Sequence, residues 1–264
     1  MPRAKRRLGQ HFLGDPGILA RIADALEAGP DDAILEIGPG PGSLTAALVT
    51  RAGRVVAIEK DRDLTGPLRA RFPAVEVIEA DALGVDWHAL MAGPFLVAGN
   101  IPYNITSPLL DKALVAPVPR RIVFLVQKEV ADRVTAGPGT PAYGALSVGV
   151  QAVALAERLF TVPAGAFRPR PKVDSAVLRL APRVPPLVDS DQREDFRALV
   201  VGLFGFRRKQ LLRAVRELTG WDVERAGERL RQSVLEPTVR PEALSPKDFV
   251  RLHRALVDGG WTRR

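Results

Sequence analysis

Five short apolar runs, at residues 33–37, 55–58, 75–78, 95–98 and 122–126, alternate with segments long enough to form a helix. That alternation is the pattern of parallel strands joined by crossover helices, and it confines this part of the chain to a doubly wound α/β sheet. Ahead of it, Ile18, Leu19, Ile22, Ala23 and Leu26 recur at helical spacing over residues 16–28, and Gly29 and Pro30 end that helix. Behind it, residues 147–154 and 174–180 read as two more strands, an antiparallel pair closing one sheet edge around a proline-rich bend at 163–171. The pattern breaks at Pro182, Pro185 and Pro186. From Asp191 onward Phe196, Leu199, Val200 and Leu203, then Leu211, Leu212, Val215 and Leu218, are spaced for helices. The expected organisation is an α/β domain over 1–183 followed by a small all-α domain over 184–264. With 264 residues, 46% of them apolar, each part has enough hydrophobic side chains to bury a core.

The first strand runs into Gly38, Pro39, Gly40, Pro41, Gly42 and Ser43, a turn that opens a helix. Glycines there let the backbone approach a ligand with no Cβ in the way. A dinucleotide turn, G-x-G-x-x-G, would place its third glycine at 43, where this chain has Ser43. That spacing disfavours a nicotinamide oxidoreductase, and Pro39 and Pro41 stiffen the loop and remove two N–H donors, which suits a ligand without a pyrophosphate. Glu59, at the end of the second strand, is placed to accept hydrogen bonds from both hydroxyls of a ribose. Asp81, after the third, is placed to accept from the amine of an adenine. These strand ends meet in one crevice, so the expected cofactor carries a nucleoside.

The fourth strand ends in Asn100, Ile101, Pro102 and Tyr103. An adenine amino nitrogen is a poor nucleophile because its lone pair is delocalised into the ring. The Asn100 side-chain carbonyl and the Ile101 backbone carbonyl are suited to accept its two N–H bonds and favour a pyramidal nitrogen. Pro102 fixes the turn, and Tyr103 offers a face on which an extruded base stacks. The expected donor is S-adenosylmethionine, leaving S-adenosylhomocysteine. A methyl on a sulfonium needs no strong base, so positioning carries most of the catalysis. A plain strand-ending turn is the bland alternative, and a DNA adenine methylase would carry a similar turn.

Composition narrows the rest. The chain has no cysteine, which excludes thiolate metal sites and thiol nucleophiles, and His11, His88 and His253 are too scattered for a local zinc motif, so no metal is expected. A formal charge of +8 favours a polyanionic partner, nucleic acid ahead of a membrane face. Arg3, Lys5, Arg6 and Arg7, and again Arg207, Arg208 and Lys209, are candidate phosphate contacts, a solvated face being the alternative for each cluster. The basic start is not followed by the apolar core of a leader peptide, and the apolar run at 144–156 is interrupted by Ser147 and Gln151. A cytoplasmic protein is expected. His88 and His253 read as structural or surface residues, and Trp87, Trp221 and Trp261 as packing residues.

These blocks together resemble the ribosomal RNA adenine dimethyltransferase family, over almost the whole chain. Besides the motifs above, the resemblance includes Lys5, Arg6, Arg7, Leu8, Gly9, Gln10, His11, Phe12 and Leu13, similar to the family's cofactor-capping segment. Further matching blocks lie at 123–133, 143–148 and 167–176. The resemblance implies a Rossmann-like class I S-adenosylmethionine methyltransferase sheet and a helical C-terminal domain in contact with RNA. It implies cofactor contacts at His11, Leu13, Gly38, Glu59, Asp81 and Asn100, with Gln10, Gly40, Lys60 and Ala82 beside them, and a second base-stacking ring at Phe167. The family usually has Asn at the position of His11, and Arg170 departs from the common pattern with no function attached. Within the family the chain looks like the housekeeping branch, which dimethylates two adjacent adenosines in a hairpin loop near the 3′ end of small-subunit rRNA. That implies an immature 30S subunit as partner and a monomeric enzyme. The alternatives are the antibiotic-resistance branch, which acts on large-subunit rRNA, and an assembly factor whose binding matters more than methylation.

Overall fold

A computed structural model describes residues 4–5 and 8–263 of the chain. They form two compact units, one running up to Ala131 and resuming at Ala156–Pro182, the other made of Asp132–Leu155 and the chain from Arg183 onward.

The first unit is built on a sheet whose strands fall on the expected apolar runs: β2 (Ala33–Ile37), β3 (Arg54–Glu59), β4 (Glu76–Glu79), β5 (Leu96–Asn100) and β6 (Arg121–Gln127). These are parallel to one another, and β9 (Ser175–Pro182) lies antiparallel on β6. With β7 (Ala154–Val162) beyond it, the order is β4-β3-β2-β5-β6-β9-β7. The chain builds outward from β2 through β3 to β4, then returns to β5 on the other side of β2. The order therefore reverses between β2 and β5, where open α/β sheets hold their ligands. Leu35, Val56, Val97 and Phe124 are all fully buried, as strands covered on both faces require. A two-stranded ribbon, β1 (Phe12–Leu13) against β8 (Phe167–Arg168), ties the N-terminal segment to the chain before β9.

Helix α1 (Pro16–Asp24) starts where Asp15 accepts a hydrogen bond from Ile18 N, with Pro16 at its first position. α2 (Ser43–Leu48) follows the glycine turn directly, and α3 (Arg62–Arg71) is capped by Asp61. α4 (Trp87–Met91), capped by Asp86, and α5 (Thr106–Ala113) complete the crossovers. Trp87 is buried and donates through its indole N–H to Ala82 O at 2.9 Å, a packing role.

The strand expected at 147–154 is a correction. Residues Ala145–Gln151 form helix α7, following α6 (Lys128–Thr135), and the strand begins only at Ala154. The run is mostly apolar, with only Ser147 and Gln151 to mark a period, so its periodicity does not separate helix from strand, and Val148 and Val150 favour strand. A local cap and hydrogen bonds to the end of α6 decide it. Ser147 Oγ accepts from Gly144 N at 3.1 Å and donates to Arg133 O at 2.5 Å, and Gln151 reaches Val134 O and Ala136 O, both at 2.8 Å.

The second unit adds α8 (Arg193–Gly205), α9 (Leu211–Thr219), α10 (Val223–Gln232) and α11 (Pro246–Asp258) to α7. Asp222 caps α10, and Ser245 and Asp248 cap α11 reciprocally. Its core includes Phe196, Leu199, Leu203, Phe249 and Leu256, together with His253. His253 sits edge-on to Phe196 and Trp261 with neither ring nitrogen bonded among the described residues, and burial lowers its pKa, so it is a neutral packing residue. Among the described residues no helix is long and apolar enough to cross a membrane.

Candidate cofactor and substrate site

The ends of β2, β3, β4 and β5 open into one cavity, and the N-terminal segment 8–13 forms another of its walls. Gly38, Gly40 and Gly42 all have positive φ, at 67°, 58° and 82°. The turn is thus built from conformations that only glycine adopts without strain. A Cβ on Gly42 would also stand 2.4 Å from the ring of Phe72. The Gly38 amide is held by Ile58 O at 2.9 Å, which docks the loop onto β3.

Glu59 is 6% exposed and accepts hydrogen bonds from Gly40 N at 3.0 Å and Asp61 N at 2.7 Å. Its two oxygens are spent on different backbone amides, which fixes the carboxylate and leaves each oxygen a further lone pair. Burial pushes its pKa up, against those hydrogen bonds. Asp81 pairs with Lys60 at 2.7 Å and accepts from Leu83 N at 3.0 Å, and these contacts hold its carboxyl below its usual range.

Asn100 ends β5 at its last ladder pair with Leu125, so the Ile101 carbonyl lies just beyond the ladder. The Asn100 side-chain amide donates from Nδ2 to His11 O at 2.8 Å, which orients Oδ1 as a pure acceptor. The Tyr103 ring stacks on His11 with centroids 5.7 Å apart, and its hydroxyl meets Ser175 Oγ at 2.6 Å. His11 Nδ1 in turn contacts Pro169 O at 2.8 Å.

Gln10, His11, Leu13, Gly38, Gly40, Glu59, Lys60, Asp81, Ala82, Asn100, Ile101, Pro102 and Tyr103 all line this one cavity. Two expectations do not fit it. Phe167 is fully buried in the core beside Leu13, Leu19 and Val162 and does not line the cavity, because β8 pairing with β1 turns its ring inward. Lys5 is not a free cation for phosphate: its ammonium is paired with Asp61 and with Asp63, which raises its pKa. The other three residues of that cluster, Arg3, Arg6 and Arg7, lie outside the described residues. In the second unit Arg207 bonds Glu242 at 2.8 Å and Lys209 bonds Glu217 at 3.1 Å, while Arg208 is exposed.

Two acids went unnoticed as site residues. Glu36 lines the cavity at 1% exposure, with Thr45 Oγ donating to it at 2.6 Å, and burial pushes its pKa up to about 8. The available signal was a single charge inside the apolar strand Ala33, Ile34, Leu35, Glu36, Ile37. Asp61 receives Gln10 Nε2 at 2.9 Å as well as Lys5. Burial works against its ionisation, but these bonds outweigh it and its pKa is lowered. Gln10 and Lys5 are thereby fastened beside Glu59. Among the described residues no group of three acids or histidines is placed to hold a metal ion.

The reversed strand order, the glycine turn and the acid at the end of β3 define a class I S-adenosylmethionine-dependent methyltransferase. The chain belongs to the ribosomal RNA adenine dimethylase family, which it matches over residues 1–251. It is 45% identical to a ribosomal RNA small subunit methyltransferase A from Xanthomonas euvesicatoria, covering 94% of this chain and 95% of that one. A protein of the same name from Acidithiobacillus ferrooxidans is 43% identical, covering 98% and 97%. Among solved structures, a dimethyladenosine transferase from Plasmodium falciparum superposes with a TM-score of 0.84 at 26% identity, covering 96% of this chain and all of that one. The 23S rRNA methyltransferase ErmE gives 0.74 at 31%, covering 93% and 99%.

Proposed function

We propose that this enzyme converts two adjacent adenosines in the hairpin loop near the 3′ end of small-subunit rRNA to N6,N6-dimethyladenosine, acting on immature small subunits in the cytoplasm. The observation that carries the chemistry is the Asn100 amide: its nitrogen donates to His11 O and the residue lines the cavity, so its side-chain carbonyl is available there as an acceptor. The higher identity to small-subunit methyltransferases, 45% against 31% for the 23S enzyme, favours the small subunit as substrate.

The cavity suits a nucleoside-bearing cation. Gly38 and Gly40 give close backbone approach, Glu59 has lone pairs for ribose hydroxyls, and Asp81 presents a carboxylate for an adenine amine. When bound, S-adenosylmethionine supplies a methyl group on a positively charged sulfur. The protein's share is placement. Asn100 Oδ1 and the Ile101 carbonyl draw the two N–H groups of the target amine, holding its lone pair out of conjugation, and Tyr103 stacks the base. A second methylation uses the same pocket with one N–H left to hold. The acceptors are neutral, so the proton lost by the amine leaves to solvent.

Glu59→Ala is expected to weaken S-adenosylmethionine binding by ~10²–10⁴-fold, the loss of two hydrogen bonds to a charged acceptor. Calorimetric titration checks this, with a melting curve as control for folding. Affinity equal to wild type would remove Glu59 from the cofactor site. The function itself is tested by methyl transfer from labelled donor to immature and mature small subunits. Faster transfer to the immature particle supports the proposal, and equal transfer to large subunits or duplex DNA contradicts it.

A further inference from the structure

Residues 168–174 read Arg, Pro, Arg, Pro, Lys, Val, Asp, and both ends of the segment after Arg168 are fastened to the cavity wall. At one end Pro169 O contacts His11 Nδ1 at 2.8 Å; at the other Ser175 Oγ contacts the Tyr103 hydroxyl at 2.6 Å. His11 and Tyr103 stack on each other and both line the cavity. The loop therefore runs along the rim beside the proposed base-stacking ring. Arg168 and Arg170 each adjoin the Pro169 attachment, and Lys172 is three residues from either end, roughly 10 Å of chain at most.

All three cations are exposed, and none has a carboxylate partner among the described residues. This sets them apart from Lys5, Arg207 and Lys209, whose charges are met by acids. The acid of the loop, Asp174, accepts from Ala164 N at 2.9 Å rather than from a neighbouring cation. Arg168 is held by its own backbone neighbourhood, Nη1 donating to Phe167 O at 2.9 Å and Gly165 O at 3.1 Å, which leaves its other guanidinium nitrogens unspent. Pro169 and Pro171 restrict the loop before binding, so less conformational freedom is lost when a ligand is gripped. An unpaired, pre-stiffened cluster of two guanidinium groups and an ammonium is chemistry for phosphodiesters.

We propose that Arg168, Arg170 and Lys172 form a phosphate-gripping rim that holds the RNA backbone next to the adenosine entering the cavity. The inference rests on the RNA-methylating function proposed above and assigns the backbone contacts to this loop. Such contacts fix register and supply salt-dependent affinity with no choice of sequence.

The test is the double variant Arg168→Ala/Arg170→Ala, assayed with small subunits from cells lacking the modification. The KM for subunits is expected to rise ~10–100-fold with kcat within about 2-fold. The slope of log affinity against log salt should fall by ~1.4, two single-strand phosphate contacts. The double lysine variant, Arg168→Lys/Arg170→Lys, keeps the charges and is expected to keep the slope. Calorimetric affinity for S-adenosylmethionine should match wild type in both. An unchanged KM and salt slope in the alanine variant overturns the rim, as does a parallel loss of cofactor affinity. Wild-type protein that transfers no methyl to these subunits would overturn the functional reading instead.

Discussion

Asn100→Ala is expected to lower the rate of methyl transfer by ~10²–10³-fold, the scale measured when one pre-positioned polar group is removed from a reacting centre. The loss should appear in kcat, because the acceptor acts on the amine that reacts rather than on the cofactor's distant contacts. Folding should survive, since the bond lost is a single one to His11 O at the end of a strand whose ladder is otherwise intact. Asn100→Asp keeps an acceptor oxygen but loses the donor that fixes the side chain on His11 O, so its rate should fall between the two. Labelled-methyl transfer under saturating RNA and donor measures all three proteins. An alanine variant as fast as wild type would take the reacting centre away from the end of β5.

Glu36→Gln is expected to stabilise the cofactor-free enzyme at alkaline pH. Burial raises the Glu36 carboxyl from 4.5 to about 8, so the folded state holds a proton that the unfolded chain gives up. The sign follows: stability falls as pH rises from ~4.5 to ~8, then levels off, because over that range the unfolded state binds fewer protons. Glutamine keeps the acceptor for Thr45 Oγ and has nothing to ionise. The variant should therefore match wild type near pH 4 and exceed it at pH 9 by on the order of 3–5 kcal/mol. Denaturant melts at both pH values read the difference directly. Curves that stay parallel from pH 4 to 9 would mean Glu36 is ionised in the fold.

Much of this architecture is legible in the chain because it is local. The strands β2, β3, β5 and β6 are largely apolar runs buried on both faces, and an apolar run bounded by helix-length segments needs no distant information to be seen. The residues at or just past the ends of the parallel strands, Gly38, Glu59, Asp81 and Asn100, follow from the rule that open sheets bind ligands at their carboxyl edges, and all line one cavity. What stayed hidden depends on contacts across the sequence. Phe167 looks like a free aromatic until β8 pairs with β1 and buries it. Lys5 looks like a phosphate contact until Asp61, fifty-six positions away, comes to meet it. Helix α7 lies in a mostly apolar run, and the bonds that tie it down, from Ser147 to Arg133 O and from Gln151 to Val134 O and Ala136 O, reach fourteen to seventeen positions back along the chain. Glu36 stands where an apolar strand runs into the glycine motif, and a carboxyl within a buried strand is itself a strong signal of a site.

The N-terminal segment links these points. Asn100 is oriented by His11, Gln10 and Lys5 converge on Asp61, and Asp61 N supports Glu59. The residues proposed to hold the cofactor and those proposed to hold the amine thus share one strap of chain. Its pairing through β1 with β8 carries that connection to the rim loop after Arg168.

Nucleoside analysis by mass spectrometry offers the most direct test: small subunits from cells lacking the modification are incubated with the enzyme and S-adenosylmethionine, and the methylated fragment is sequenced. N6,N6-dimethyladenosine is expected at two adjacent positions of the hairpin loop near the 3′ end, and its absence with Asn100→Ala. Methyl groups found in large-subunit RNA, or on a ring nitrogen instead of the amine, would contradict the proposed function.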